Sequence, residues 1–270
     1  MDSWTLATSH PAVESLLVSI REAIAEVTGS SLVGLYLFGS LATGDFDADA
    51  SDIDLIAVLH QRASERLAAR LRRMHEDLAR ANPRWDDRIE VIYVSTRGLA
   101  NCRTDMTTIA VISPGEPFHV VQAGRDWILN WYPAREDAVR LIGPPIDSLV
   151  PPIPRAEYVE EVRRSLVGFT TRIADDEPLG SQAYAILTMC RGLYAISFGE
   201  RVSKRDAASW AQREFPQWAD LVRQALVWRQ RQWELGRQEG TATVAETRGF
   251  IAGMADLARE RGHLPRRPAR

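Results

Sequence analysis

Apolar residues recur along this chain at two different periods. From Pro11 to Val27 the spacing is helical, at Val13, Leu16, Leu17, Ile20 and Ile24, until Gly29 stops it. Two short continuous runs follow, Leu35 to Phe38 and Leu55 to Leu59, with the length and residue types of buried strands. The helical period returns over Ala63 to Ala81, with Leu67, Leu71, Met74 and Leu78 on one face, and Asn82-Pro83 breaks it. Arg88 to Val94 alternates as a strand, Thr107 to Ile112 and Phe118 to Val121 read as two more, and Asp126 to Trp131 opens a partly helical stretch. Ile142 to Pro154 carries five prolines and Gly143, the composition of a linker. Beyond it strand signals vanish, and helices are predicted over 156–173, 182–198, 204–215, 218–234 and 244–261, with a basic, solvated tail over 263–270. The expected fold is α+β: a mixed sheet with helices over residues 1–150, then an all-helical bundle over 151–270.

Composition changes this picture little. The chain has 270 residues, 45% of them hydrophobic, enough for a core in each of two domains. A net charge of −3 and a pI near 6.0 leave no global basic footprint for nucleic acid. Arg62, Arg66, Arg70, Arg72 and Arg73 crowd the polar face of the 63–81 helix; this is read as a solvated face, with substrate or nucleic-acid contact as the alternative. Cys102 and Cys190 lie far apart without metal-ligand spacing, which suits a reducing cytoplasm. The first residues lack the basic and apolar regions of a secretory leader, and no apolar run approaches the ~18 residues of a membrane span. A soluble, cytoplasmic monomer without a membrane or nucleic-acid partner is expected.

Candidate chemistry concentrates between the first two strand runs. The first run ends at Gly39-Ser40, a loop rich in Gly, Asp and Ala follows, and Asp52-Ile53-Asp54 leads into the second. Gly39 has no Cβ to keep a phosphate away from the backbone, and Ser40 adds a hydroxyl and an N–H at the same spot. Asp52 and Asp54, two apart on a strand, point to one face. Their charges repel unless a cation sits between them. A hard divalent cation held by carboxylates and substrate phosphates is how Mg²⁺ is usually bound at ATP sites. Glu90 places a third carboxylate inside the third strand. A Gly-Asp hairpin turn with solvated acids would explain the loop, but not acids at the mouth of one apolar strand and within another.

Gly39-Ser40, eleven residues, Asp52-x-Asp54 and the later strand residue Glu90 together resemble the signature of the polymerase-β-type nucleotidyltransferases. Further on, Leu187-Thr188-Met189-Cys190-Arg191-Gly192-Leu193-Tyr194 and the stretch from Gly199 to Trp210 are similar to the helical domain of the aminoglycoside adenylyltransferases that modify streptomycin and spectinomycin. Trp127 to Pro145 also looks like that group, so the likeness covers about residues 30 to 260. The resemblance implies an enzyme that uses ATP and Mg²⁺. Gly39, Ser40 and Ser51 would bind the nucleotide, and Arg191 and Lys204 would contact its phosphates. Asp52, Asp54 and Glu90 would serve the metal. Glu90 would also take the proton of a drug hydroxyl as it attacks the α-phosphorus. Its alternative role is that of a third metal ligand alone. Arg191 is otherwise a helix salt bridge and Lys204 an exposed helix-start lysine.

The implied acceptor is a cationic small molecule, which calls for carboxylates and an aromatic wall. In the family's streptomycin-modifying members a Trp before the linker and an Asp near the start of the second helix serve the drug. Trp127 stands for the first, although Trp85, Trp127 and Trp131 are equally read as packing. Ser181 occupies the second position, and Asp176, flanked by Asp175 and Glu177, lies just upstream as its substitute. Should these turn acids not serve, the resemblance implies a spectinomycin-only enzyme. Two other classes stand beside this one. A nucleotidyltransferase acting on a protein or tRNA is usually a short single-domain chain. A non-catalytic nucleotide-binding module would have no use for a base.

Overall fold

Val13, Leu16, Leu17, Ile20 and Ile24 line the buried face of the first helix, α1 (Pro11–Thr28), as their spacing predicts. The computed structural model of the chain describes residues 11–169, 173–231 and 240–260, and the chain divides into two compact units, Met1–Ile153 and Pro154–Arg270. In the first, β1 (Leu32–Phe38), β2 (Ile53–Leu59), β3 (Ile89–Ser95), β4 (Thr107–Ser113), β5 (Glu116–Ala123) and β6 (Val139–Ile142) form one sheet in the order β5-β4-β3-β2-β1-β6. Only β2 and β3 run parallel; every other neighbouring pair is antiparallel. A parallel pair needs a long crossover, and the helix α3 (Glu65–Ala81) supplies it. Ser64 caps that helix by accepting the Leu67 N–H at 3.2 Å. Its buried Leu71, Met74 and Leu78 join α1 and the inward residues of β1, β2 and β3 in one core. The arginines on its other face are exposed, and Arg72 lies over the Phe118 ring at 5.6 Å.

Two elements differ from the sequence expectation. The residues after β1 open as a short helix, α2 (Gly39–Thr43), rather than as loop. The segment after α5 (Ile128–Asp137) forms β6 on the free edge of β1. β6 is only four residues long with Leu141 alone buried, too brief for a period to show. It is held from beyond by Tyr36, whose buried hydroxyl donates to the Pro144 carbonyl at 2.7 Å. Burial pushes that hydroxyl up to about 12. The remaining helix of this unit, α4 (Thr96–Ala100), follows β3 directly.

One polar residue sits inside this core. His75 is buried, its Nε2 lies 2.8 Å from the Tyr93 hydroxyl, and Phe118 closes over both rings. Burial depresses the imidazole to about 4, because a charged ring would be stranded away from water. The unfolded chain takes up this proton below about pH 6.5, and the folded chain resists it until about 4. Stability from this group is therefore fully present above pH 6.5 and lost as pH falls through that window. Between pH 7.5 and 5 the loss should be on the order of 2 kcal/mol. Urea titrations of wild type and His75→Phe at both pH values check this: the mutant's loss should be smaller by that amount.

The second unit is helical: α6 (Arg155–Gly168), α7 (Leu179–Phe198), α8 (Lys204–Glu214), α9 (Ala219–Gln230) and α10 (Thr241–Glu260). α7 is its axis. Thirteen of its twenty residues are buried, because α6, α8, α9 and α10 all pack on it. Ser181, Tyr184, Thr188 and Arg191, spaced on one face, make a stripe that those neighbours leave uncovered. α6 stops at Gly168, short of the predicted residue 173. The predicted helical positions 170–172, 232–234 and 261, and the tail 263–270, lie outside the described residues. Both cysteines are buried and form no disulfide, and burial pushes the Cys190 thiol up to about 12. Among the described residues no helix is long and apolar enough to cross a membrane.

Candidate active site

Each strand of the parallel pair is buried along its length except at its second residue. In β2 that residue is Asp54, and in β3 it is Glu90. The two are register partners. Their side chains therefore leave one face of the sheet from adjacent strands, about 4.8 Å apart. On the other flank of Asp54 the antiparallel register sets Phe38, the last residue of β1, so the chain turns into Gly39 and Ser40 beside this carboxylate. Gly39 adopts φ +72°, and a Cβ built there would lie 1.9 Å from Asp54 Oδ2. The turn is thus packed directly on the carboxylate, with no room for any other residue.

Asp52 precedes β2 by one residue and is half-buried; strand alternation puts it on the Asp54 face. The loop before it is fixed from inside. Ser51 is buried, its hydroxyl accepts the Asp47 N–H at 3.1 Å, and its own N–H donates to the Asp47 carbonyl at 2.7 Å. Ser51, expected on the nucleotide, also closes the loop that leads to Asp52. Arg88 reaches in from the start of β3. It is buried, donates to the carbonyls of Ala48 at 2.9 Å and Ser51 at 2.5 Å, and stacks on Trp85 at 4.4 Å. Burial lowers its pKa, and the nearby Asp52 carboxylate works in the opposite direction. Nothing local in the sequence marks Arg88 as a buried arginine that serves a loop forty residues away.

Whether these acids suit Mg²⁺ can be judged from the donors. Among the described residues no group of three or more His, Cys, Asp and Glu side chains is gathered so as to hold a metal ion by itself. Mg²⁺ at nucleotide sites needs no such cage: one or two carboxylates suffice, with substrate phosphates and water completing the shell. The paired hard oxygen donors of Asp54 and Glu90, beside a turn open to phosphate, fit that requirement.

In the second unit Arg191 is exposed near the middle of α7, and Lys204 is the first residue of α8. The Lys204 ammonium sits over the Tyr184 ring at 5.7 Å, so the open stripe of α7 carries Tyr184, Thr188 and Arg191 with Lys204 reaching onto it. Lys204 is set apart in the sequence as the only lysine among the 33 lysines and arginines of the chain. The acidic turn is sorted by its partners. Asp175 pairs with Arg248 at 2.7 Å, and the Glu177 carboxylate accepts the Ala174 N–H at 3.0 Å. Asp176 is exposed, with no such partner among the described residues. The turn is held by Gln182, which is fully buried. Its amide N–H₂ donates to the Glu177 and Gly240 carbonyls, and its oxygen accepts from Thr243 and Thr247. Trp127, in the first unit, ends a 3₁₀ turn, is half-buried and stacks on the buried Trp131 at 5.8 Å; Trp85 is likewise core.

A cleft of about 510 Å³ lies elsewhere, lined by His60, Arg62, Arg97, Asn101 and Asp105 among others. It opens at the carboxyl ends of β2 and β3, roughly 20 Å of strand away from Asp54 and Glu90, and contains none of the acids discussed above.

Residues 19–103 match the nucleotidyltransferase domain family, and residues 148–253 match the aminoglycoside adenylyltransferase C-terminal domain. The first part of the chain is thus similar to nucleotidyltransferase domains, and the second to the helical domain of aminoglycoside adenylyltransferases. The chain also shares its fold with a spectinomycin adenyltransferase from Enterococcus faecialis, solved with ATP and spectinomycin. The TM-score is 0.71 at 15% identity, over 92% of this chain and 99% of that one. No curated protein sequence matches the chain. A mixed-sheet nucleotidyltransferase-like domain followed by a helical one is what the resemblance implied for the chain, and it is what the structure has.

Proposed function

We propose that the chain transfers AMP from ATP to a hydroxyl of an aminoglycoside-type antibiotic, spectinomycin or streptomycin or both, with release of pyrophosphate. The observation that carries this reading is the side-by-side placement of Asp54 and Glu90 next to the Gly39-Ser40 turn. Nucleotidyl transfer asks a protein for alignment and charge neutralisation more than for covalent help. The Gly39 and Ser40 backbone receives the phosphates, and Arg191 and Lys204 contribute cationic charge toward them. Glu90 accepts the proton of the acceptor hydroxyl as its oxygen bonds to the α-phosphorus. The bond from the α-phosphorus to the bridging oxygen breaks, and its electron pair leaves with pyrophosphate. Mg²⁺, when bound by Asp54 and Asp52, would neutralise charge on the phosphate oxygens, with service as a third metal ligand the alternative role for Glu90. Arg88 and Ser51 hold the loop that presents Asp52.

The drug side draws on Asp176, the turn acid left open to a cation, and on Trp127 as an aromatic wall. Cells expressing the wild-type chain should survive spectinomycin, streptomycin or both. Asp176→Asn should lower streptomycin protection while sparing spectinomycin protection. Minimal inhibitory concentrations on the two drugs read this out. Equal protection by wild type and Asp176→Asn on streptomycin would remove Asp176 from the site. No protection by wild type on either drug would turn attention to a protein or tRNA acceptor.

A further inference from the structure

Lys204 is out of place by every local rule. It opens α8, the end of a helix where the partial charge is positive and an anion is preferred. The Ser203 cap already satisfies the Asp206 N–H at 2.9 Å, so α8 needs nothing from a lysine. Every other lysine-or-arginine position in the chain is arginine. A planar guanidinium and a compact ammonium are not interchangeable where a single charge must meet phosphate oxygens. Tyr184 is out of place as well. Its ring is 58% exposed, on a helix whose other aromatic residue of that size, Tyr194, is buried among Phe198 and Trp210. The two anomalies meet, since the ammonium stands over the ring at 5.7 Å. The negative face of an aromatic ring attracts a cation, which offsets the unfavourable end of α8.

We infer that Tyr184 is a positioning residue, holding the Lys204 ammonium over its ring so that the cation is presented on the same open stripe of α7 as Arg191 before a nucleotide arrives. This rests on the nucleotide reading of Lys204 given above. An unheld lysine would lose rotamer freedom on meeting a triphosphate, and a lysine already restrained loses less. The ring supplies the restraint. Its hydroxyl is not required, so phenylalanine should replace it.

Because the chain has one lysine, protein labelled with ¹³C/¹⁵N-lysine gives a single side-chain signal set from Lys204. In the full-length free protein that signal should carry a ring-current displacement. Tyr184→Ala should abolish the displacement, and Tyr184→Phe should keep it. Isothermal titration of ATP should show binding weakened about two- to five-fold in Tyr184→Ala and near wild type in Tyr184→Phe. A lysine signal identical in wild type and Tyr184→Ala would overturn the inference, as would unchanged ATP affinity in Tyr184→Ala. A wild-type lysine signal that ATP leaves unmoved would instead overturn the nucleotide reading itself, with the ring contact standing only as packing.

Discussion

Glu90→Gln should lower adenylyl transfer by about 10²- to 10⁴-fold, the usual contribution of a positioned proton acceptor. The substitution keeps the shape of the side chain and its place beside Asp54, and β3 is buried around it, so the fold should be unaffected. What it removes is the capacity to take a proton from the attacking hydroxyl. An alcohol is a poor nucleophile at neutral pH, and without an acceptor the bond to phosphorus must form with the proton still attached. Pyrophosphate release, measured against acceptor concentration, reads the rate. Titration of ATP with Mg²⁺, measured alongside, separates the two roles open to Glu90. Transfer lost with ATP·Mg²⁺ binding intact identifies a base, whereas both lost together identifies a metal ligand. Wild-type rates in Glu90→Gln would exclude the residue from either.

The second large effect belongs to Gly39→Ala. At φ +72° an L-residue costs about 1–2 kcal/mol. Beyond that cost, the new methyl would lie 1.9 Å from Asp54 Oδ2, far inside contact distance. Either the carboxylate swings away or the turn lifts from the sheet, and both spoil the arrangement of acid and phosphate cradle. Transfer should fall at least 10²-fold, since small displacements of positioned groups cost that much. Gly44→Ala is the control. Gly44 also has positive φ, +79°, but a Cβ there meets nothing within 4 Å. It should lose only the backbone share of stability, about 1–2 kcal/mol in thermal or urea unfolding, with transfer retained. If Gly39→Ala were as active as Gly44→Ala, close packing of the turn on Asp54 would have no part in the chemistry.

Much of this molecule is legible locally. The faces of α1 and α3 follow from 3.6-residue spacing, and the apolar runs at 35–38 and 55–59 lie within β1 and β2. Asp54 and Glu90 are legible as acids that interrupt apolar strands, and Asp52 as one at the mouth of a strand, which costs stability unless something uses them. What stayed hidden involves partners far apart in sequence. β6 is recognisable only by the edge of β1 that it covers. Arg88 looks like an ordinary residue flanking a strand, yet it is buried on carbonyls near residue 50. Ser51 looks available for a ligand, yet the loop itself uses it. The three acids at 175–177 cannot be ranked until Arg248 and the Ala174 amide take two of them.

By itself the sequence determined which residues carry charge into an apolar setting and which segments become strand or helix, because both depend on periods of two to four residues. The tertiary structure alone decided that Asp54 and Glu90 are neighbours. They are 36 positions apart, and only the parallel register of β2 on β3, set by the crossover through α3, brings them to the same level of the sheet. A slip of one residue in that register would send one carboxylate into the core face, and burial of the remaining strand residues forbids it.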